Sequence, residues 1–190
     1  MKKLLFIMAV AIVAAGCGAK KGATATSAYS QEEEVNRPCV EYKTDKNALR
    51  ARGNAISPNM QNATDKAVLN ARRELATSAQ VFIQRVTEAY TSSYDVDQRA
   101  DFTGRTQDMT RQIAAKLMQG STIVCDKMTK TSGKDGSIMY HAYVAVEIDK
   151  NDLYKEVEQS FSNEITKAEK AQIDFDAEKF RAIFEQEFGK

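Results

Sequence analysis

Apolar residues fall at Ala63, Ala67, Ala71, Leu75, Ala79, Phe82, Ile83, Val86 and Tyr90. Spacings of three and four are the period of one helix face, and they predict a long helix over residues 62–90. Lys66, Arg73, Glu74, Gln84, Arg85 and Glu88 fall on the opposite, wet face. The first half of the dry stripe is alanine, which lets the backbone approach its partner closely. The second half is bulky and fills space. A helix with one dry face must lie on something, and strands before and after it are the expected partner.

Leu49, Ala51, Gly53 and Ala55 alternate with Arg50, Arg52 and Asn54, which predicts a half-buried strand over 48–57. Its small inner face matches the alanine half of the helix, and Gly53 is expected at a bulge or a close backbone approach. Ser57 with Pro58 behind it, or Asn62 with Asp65 three residues on, is expected to cap the helix. Past Tyr90 the pattern weakens. Met109, Ile113 and Leu117 predict a second helix over 107–119, ended by Gly120, with Gly104 marking a kink or break.

Residues 121–149 predict a hairpin, with arms STIVCDKMTKT and SIMYHAYVAVEID around a turn at 132–136. Ile138, Tyr140, Ala142, Val144, Val146 and Ile148 share the face expected to cover the long helix. Met139, His141, Tyr143, Ala145 and Glu147 share the outer face. Asp149 caps a further helix with Leu153, Val157 and Phe161 inside. Phe180, Ile183, Phe184 and Phe188 then form an aromatic stripe, with Asp174, Asp176 and Glu178 near its positive start. That helix docks either on its own domain or on a partner. The predicted fold class is α+β: a long helix packed on a small antiparallel sheet in strand, helix, hairpin order, with additional C-terminal helices. There is no internal repeat.

The N-terminus changes the picture. Lys2 and Lys3 precede an apolar run from Leu4 to Val13, and Ala14, Ala15 and Gly16 lead to Cys17. The run is too short to span a bilayer and has the flanks of a secretory signal. Small residues directly before a cysteine resemble a bacterial lipobox, although Ala14 stands where leucine is commonest. The resemblance implies cleavage before Cys17 and a diacylglycerol on it; a plain secretory signal with an incidental cysteine is the alternative. Acyl chains hold a protein at a membrane without a spanning helix. Gly18 in place of aspartate resembles outer-membrane sorting. Residues 20–36, rich in Ala, Thr, Ser, Lys and then Glu, read as a flexible tether. The expected divisions are signal peptide 1–16, lipidated cysteine and tether 17–37, α+β domain 38–160 and helical extension 161–190.

Charge and candidate chemistry add little. With 27 basic and 26 acidic residues the net charge is +1, so no global field favours nucleic acid. Cys39 and Cys125 can pair in an oxidising compartment. Two buried thiols, or a redox or metal site, are the alternatives; neither cysteine has a CxxC neighbour and His141 is the single histidine. Asp95, Asp97 and Asp101 lack the glycine and terminal glutamate of a calcium loop and read as a solvated corner. No GxSxG, HExxH, P-loop or paired-carboxylate spacing occurs. His141 on the outer face reads as a surface or interface residue.

Three segments carry a family resemblance: the strand LRARGNAIS, the helix core VLNARRELATSAQ and the closing strand YHAYVAVEIDKNDL. Over residues 48–153 the chain resembles the LPP-twenty family of bacterial envelope lipoproteins, and it is similar to Bacteroidota envelope proteins with a cysteine before the first strand. The resemblance implies a helix against a small antiparallel sheet. It brings no catalytic residues, and some family members form oligomers or belong to flagellar outer-membrane discs. The insert over 91–120 and the C-terminal run depart from the smallest members.

The expected function is therefore that of a non-enzymatic lipoprotein needing no cofactor or metal. It is expected to sit in the cell envelope, lipid-anchored in the outer membrane and facing the periplasm or the cell surface. Its role would be structural or in assembly, through a homo-oligomer or an envelope protein partner. Arg50, Arg52, His141, Tyr143 and Glu147 on the sheet, with Phe180, Phe184 and Phe188, are the candidate partner surfaces. The alternative is a periplasmic small-ligand or cell-wall binding lipoprotein, with Tyr140, Tyr143 and Arg52 lining a groove.

Overall fold

A computed structural model describes residues 37–92, 96–167 and 175–189, with backbone alone at 96–105, 166 and 167. The expectations for the signal peptide, Cys17, the tether to residue 36, Asp95 and Asp174, and those for the Asp97 and Asp101 side chains, lie outside what it describes. The elements are β1 (Ala48–Ser57), α1 (Met60–Thr91), α2 (Val96–Gln119), β2 (Thr122–Ser132), β3 (Ile138–Asp149), α3 (Lys150–Lys167) and α4 (Ala177–Phe188). The fold is α+β, with β1, β3 and β2 in that spatial order forming one antiparallel sheet.

The long helix forms where its dry stripe predicts. All nine stripe residues are buried. It starts earlier than expected because Asn59, not Ser57 or Asn62, is the cap: its Oδ1 accepts from the Asn62 N–H at 2.9 Å. Ser57 instead accepts from the Asn59 N–H at 3.2 Å, holding the chain as it leaves the sheet. Several cap-competent residues lie close together here, and the one with extended backbone next to the helical run takes the role.

β1 pairs with β3 so that Leu49 faces Ile148, Ala51 faces Val146, Gly53 faces Val144 and Ala55 faces Ala142. This is the inner face, and α1 lies on it. A Cβ on Gly53 would stand 2.3 Å from both the Ala67 carbonyl oxygen and the Ala71 nitrogen. Gly53 is thus the close approach, not a bulge. The alanines opposite are there for the same reason: a larger side chain would lift the helix off the strand.

The bulky half of α1 is covered differently from the expectation. Helices take part in covering it. Phe82 meets Phe184 and Phe188 edge-on at 5.1 and 5.4 Å between centroids. Tyr90 packs against Phe161, Phe175 and Phe180 at 5.2, 5.9 and 5.5 Å. Met109, Ile113 and Leu117 of α2 are buried as predicted, and the chain turns out of α2 at Gly120. That helix begins at Val96, however, and Gly104 lies within it. Residues 96–106 carry no apolar period, yet Gln98, Arg99, Ala100 and Arg105 are good helix formers.

α3 starts at the predicted cap, with Asp149 Oδ1 accepting from the Asn151 N–H at 2.7 Å. Leu153, Val157, Phe161 and Ile165 are buried in the cluster that holds the α1 stripe, Phe180 and Phe184. The boundary drawn after residue 160 therefore falls inside α3, and what was expected as an extension is part of the core.

Gly53→Ala is expected to cost ~3 kcal/mol in urea unfolding, because both neighbours are backbone and neither can move aside. Gly120→Ala, whose Cβ would meet only the Leu117 carbonyl at 3.8 Å, is the matched control and should change stability by less than ~0.5 kcal/mol.

Candidate functional surface

Residues 37–47 form a strap across the outer face of the sheet. Pro38 to Glu41 turn, with the Tyr42 N–H on the Cys39 carbonyl at 3.3 Å. Cys39 is bonded to Cys125 of β2 and is buried with it and Ala145 of β3. Of the readings open for these two cysteines, the structure has the disulfide. Cys39 adopts a left-handed backbone, φ 62°, which is unfavourable for a residue with a Cβ. The bond closes a separation of 86 residues, for which loss of unfolded-chain entropy predicts a stabilisation of ~4–5 kcal/mol.

From Cys39 the strap runs towards β1. Arg52 Nη1 donates to the Val40 carbonyl at 3.1 Å. Arg50 Nη1 donates to the Lys43 carbonyl at 3.0 Å and to Asp45 Oδ2 at 2.6 Å, while its Nε donates to Glu147 Oε2 at 2.6 Å. Asp45 Oδ1 accepts from the Asn47 and Ala48 N–H groups at 2.8 and 3.1 Å, the turn that leads into β1. The Arg50 guanidinium, and then the Asn47 N–H, hold the Asp45 carboxyl below its ordinary range. The resulting stability is present above the unfolded carboxylate pKa and is lost as pH falls through the depressed one. Solvent exposure keeps that contribution small.

The expected sheet surface is thus partly used within the chain. Arg50 and Glu147 pair with each other, and Tyr143 is half-buried beside the disulfide. His141 Nε2 lies 3.3 Å from Thr131 Oγ1 on the neighbouring strand. Arg52 is exposed and borders a groove of about 400 Å³ with Arg37, Tyr42, Lys43, Glu74 and Tyr143. Of the trio expected to line a groove, Arg52 and Tyr143 meet there. Tyr140 does not: it faces Ser57 on the inner side. Arg37, Tyr42 and Lys43 were not foreseen, because the strap has no periodic pattern and is placed by contacts distant in sequence.

The aromatic candidates are corrected. Phe180 and Phe184 are fully buried in their own domain and Phe188 is half-buried against it. Asp176 caps α4 by accepting from the Lys179 N–H at 2.9 Å, and its own N–H donates to Tyr90 Oη at 2.9 Å. Tyr154 packs edge-on to Phe184 at 5.1 Å and donates to Glu158 Oε1 at 2.6 Å. Burial first, and then that hydrogen bond, pushes its phenol up to about 12. Among the described residues no group of three or more His, Cys, Asp or Glu side chains is arranged to hold a metal.

No protein-family model and no curated protein matches the chain.

Phe184→Ala should lower unfolding stability by ~4 kcal/mol, read by urea titration. Unchanged stability with lost self-association would instead make α4 a partner-facing helix.

Proposed function

We propose that the chain is a non-enzymatic lipoprotein of the bacterial cell envelope, anchored by acyl chains on Cys17 and serving a structural or assembly role. The observation that carries this reading is the Cys39–Cys125 bond, at the point where the expected tether enters the domain. Such bonds persist in oxidising compartments outside the cytosol, where a lipobox-bearing chain is delivered. The bond also ties the anchored end to the sheet, so that a pull on the tether is borne by a covalent link. Among the described residues no helix is long and apolar enough to cross a membrane; the lipid supplies the attachment in this reading. Kinship with the LPP-twenty family belongs to the same proposal and is supported by the quoted segments and by the strand, helix, hairpin order. Gly18 favours the outer membrane.

Cys17→Ser should abolish palmitate labelling and move the chain from the membrane fraction to the soluble fraction, with the Cys39–Cys125 bond intact on a non-reducing gel. A variant that stays membrane-bound and labelled would overturn the anchor.

The groove supports a second reading, a binding protein for anionic wall fragments or glycans. Arg37, Lys43 and Arg52 supply positive charge there and Tyr42 and Tyr143 supply flat apolar surface. A wall fragment at a hundred times its Kd should stabilise the domain by ~2.7 kcal/mol in a thermal-shift screen, and Arg52→Ala should remove the shift. No shift across a panel of wall fragments would set this reading aside.

A further inference from the structure

The two edges of the sheet are treated differently. On β1, the Arg50 N–H donates to Thr44 Oγ1 at 3.0 Å, and the Arg50 C=O accepts from the same hydroxyl at 3.1 Å. Ala48 exchanges with Asp45, and the Asn54 carbonyl accepts from Asn70 Nδ2 at 2.9 Å. These outward groups of β1 are occupied by its own chain. They also fix the parity of the whole sheet. Since Ala48, Arg50 and Asn54 point away from β3, it is Leu49, Ala51, Gly53 and Ala55 that bond to it. The alternate residues of β3, Glu147, Ala145, Tyr143 and His141, then bond to Thr122, Cys125, Lys127 and Thr129 of β2. On β2 the N–H and C=O groups of Asp126, Met128 and Lys130 are left pointing outward. Among the described residues nothing meets them, and Asp126, Lys127, Thr129 and Lys130 are exposed. The regular stretch is bounded by the register shift between Ile123 and Cys125 and by the turn at Gly133 to Gly136.

We propose that β2 pairs antiparallel with β2 of a second copy of this chain, about a two-fold axis at Met128, giving one continuous sheet. Charge complementarity selects that occupant. About Met128, Asp126 faces Lys130 of the second copy on both sides of the axis, Lys127 faces Thr129, and Met128 faces its own copy. Registers centred on Asp126, Lys127 or Lys130 set like charges opposite each other, and one centred on Thr129 pairs no charges. Charged residues on an edge strand ordinarily discourage pairing; here unlike charges four residues apart make the edge complementary to itself. The hydrogen-bond parity agrees, because the three facing pairs are all outward-pointing and exchange about six backbone bonds. The inference deepens the envelope reading and rests on it in one respect: confinement to a membrane raises the effective concentration that a short edge contact needs.

The test is cysteine cross-linking of the full chain in its own envelope. In the proposed register the two Met128 Cα atoms stand about 5.5 Å apart, inside the disulfide range of about 4.4–6.8 Å. Met128→Cys should give a covalent dimer on a non-reducing gel, while Asp126→Cys alone and Lys130→Cys alone should not. Adding Asp126→Lys to Met128→Cys should cut the dimer about tenfold, and further adding Lys130→Asp should restore it. Recovery by the second reversal separates lost pairing from lost folding. A folded Met128→Cys chain that stays monomeric, or cross-links no faster than Asp126→Cys, overturns the proposal, including the case in which a strand of another protein holds the edge. Fractionation of the same cells separates the two ideas. Envelope-bound chain without the cross-link removes edge pairing alone, and soluble chain that still cross-links at Met128 removes the envelope reading alone.

Discussion

The contact between the backbones of β1 and α1 sets the geometry of everything else. At Gly53 the strand lies so close to the turn holding Ala67 and Ala71 that no Cβ fits between them. Such an approach needs a glycine on the strand and small residues on the helix, and Ala63, Ala67 and Ala71 provide them with no exposed surface. Dispersion between closely packed backbones and the exclusion of water replace the large side chains a core ordinarily uses. The consequence is a helix held at fixed depth and angle on the sheet. Its far half then carries Phe82, Ile83, Val86 and Tyr90 to where α2, α3 and α4 can close over them.

The aromatic residues of the C-terminal third close that second half. Phe161, Phe175 and Phe180 surround Tyr90, and Phe184 and Phe188 meet Phe82. On the opposite side of the sheet a short strap does a different job. It carries little apolar surface, so a disulfide and the Arg50 and Arg52 hydrogen bonds hold it. The strap covers part of the outer face and occupies the β1 edge at Ala48 and Arg50, while the β2 edge keeps its outward backbone groups. The open strand edge, together with the membrane anchor proposed above, would suit a role in lateral assembly.

How much of this was legible depends on the range of the interactions. The α1 stripe, the β1 alternation and the hairpin arms are local patterns with a strong period, and they placed the α1 stripe, Leu49, Ala51, Ala142, Val144, Val146 and Ile148 in the core. Ile138, expected on the same face, is exposed because it lies at the hairpin tip, and Ala145 on the outer face is buried under the strap. At Gly53 the sequence offered a bulge or a close approach, and the alanines on the helix matched the second, which the structure has. The start of α2 was not, since residues 96–106 show no apolar period and only their helix propensity marks them. The cap at Asn59 was hidden by equally competent neighbours. For the candidate surface, alternation put Arg50, Arg52, His141, Tyr143 and Glu147 on one face. What covers that face depends on a bond between Cys39 and Cys125, 86 positions apart, and no local pattern reports it. The same holds for α4, whose stripe fits a partner as well as its own domain until Phe82 and Tyr90 are seen waiting for it.

Native-state hydrogen exchange tests the central role of the α1 and β1 contact most directly. If that contact organises the domain, amides from Ala67 to Ile83, together with those of Ala142 to Val146 on β3, should exchange only through global unfolding, with the full unfolding free energy. Amides of α2 and of the hairpin tip should open at lower free energy. Exchange in α1 as fast as in α2, with the slowest amides lying in α3 and α4, would contradict the account and place the organising core among the aromatic residues instead.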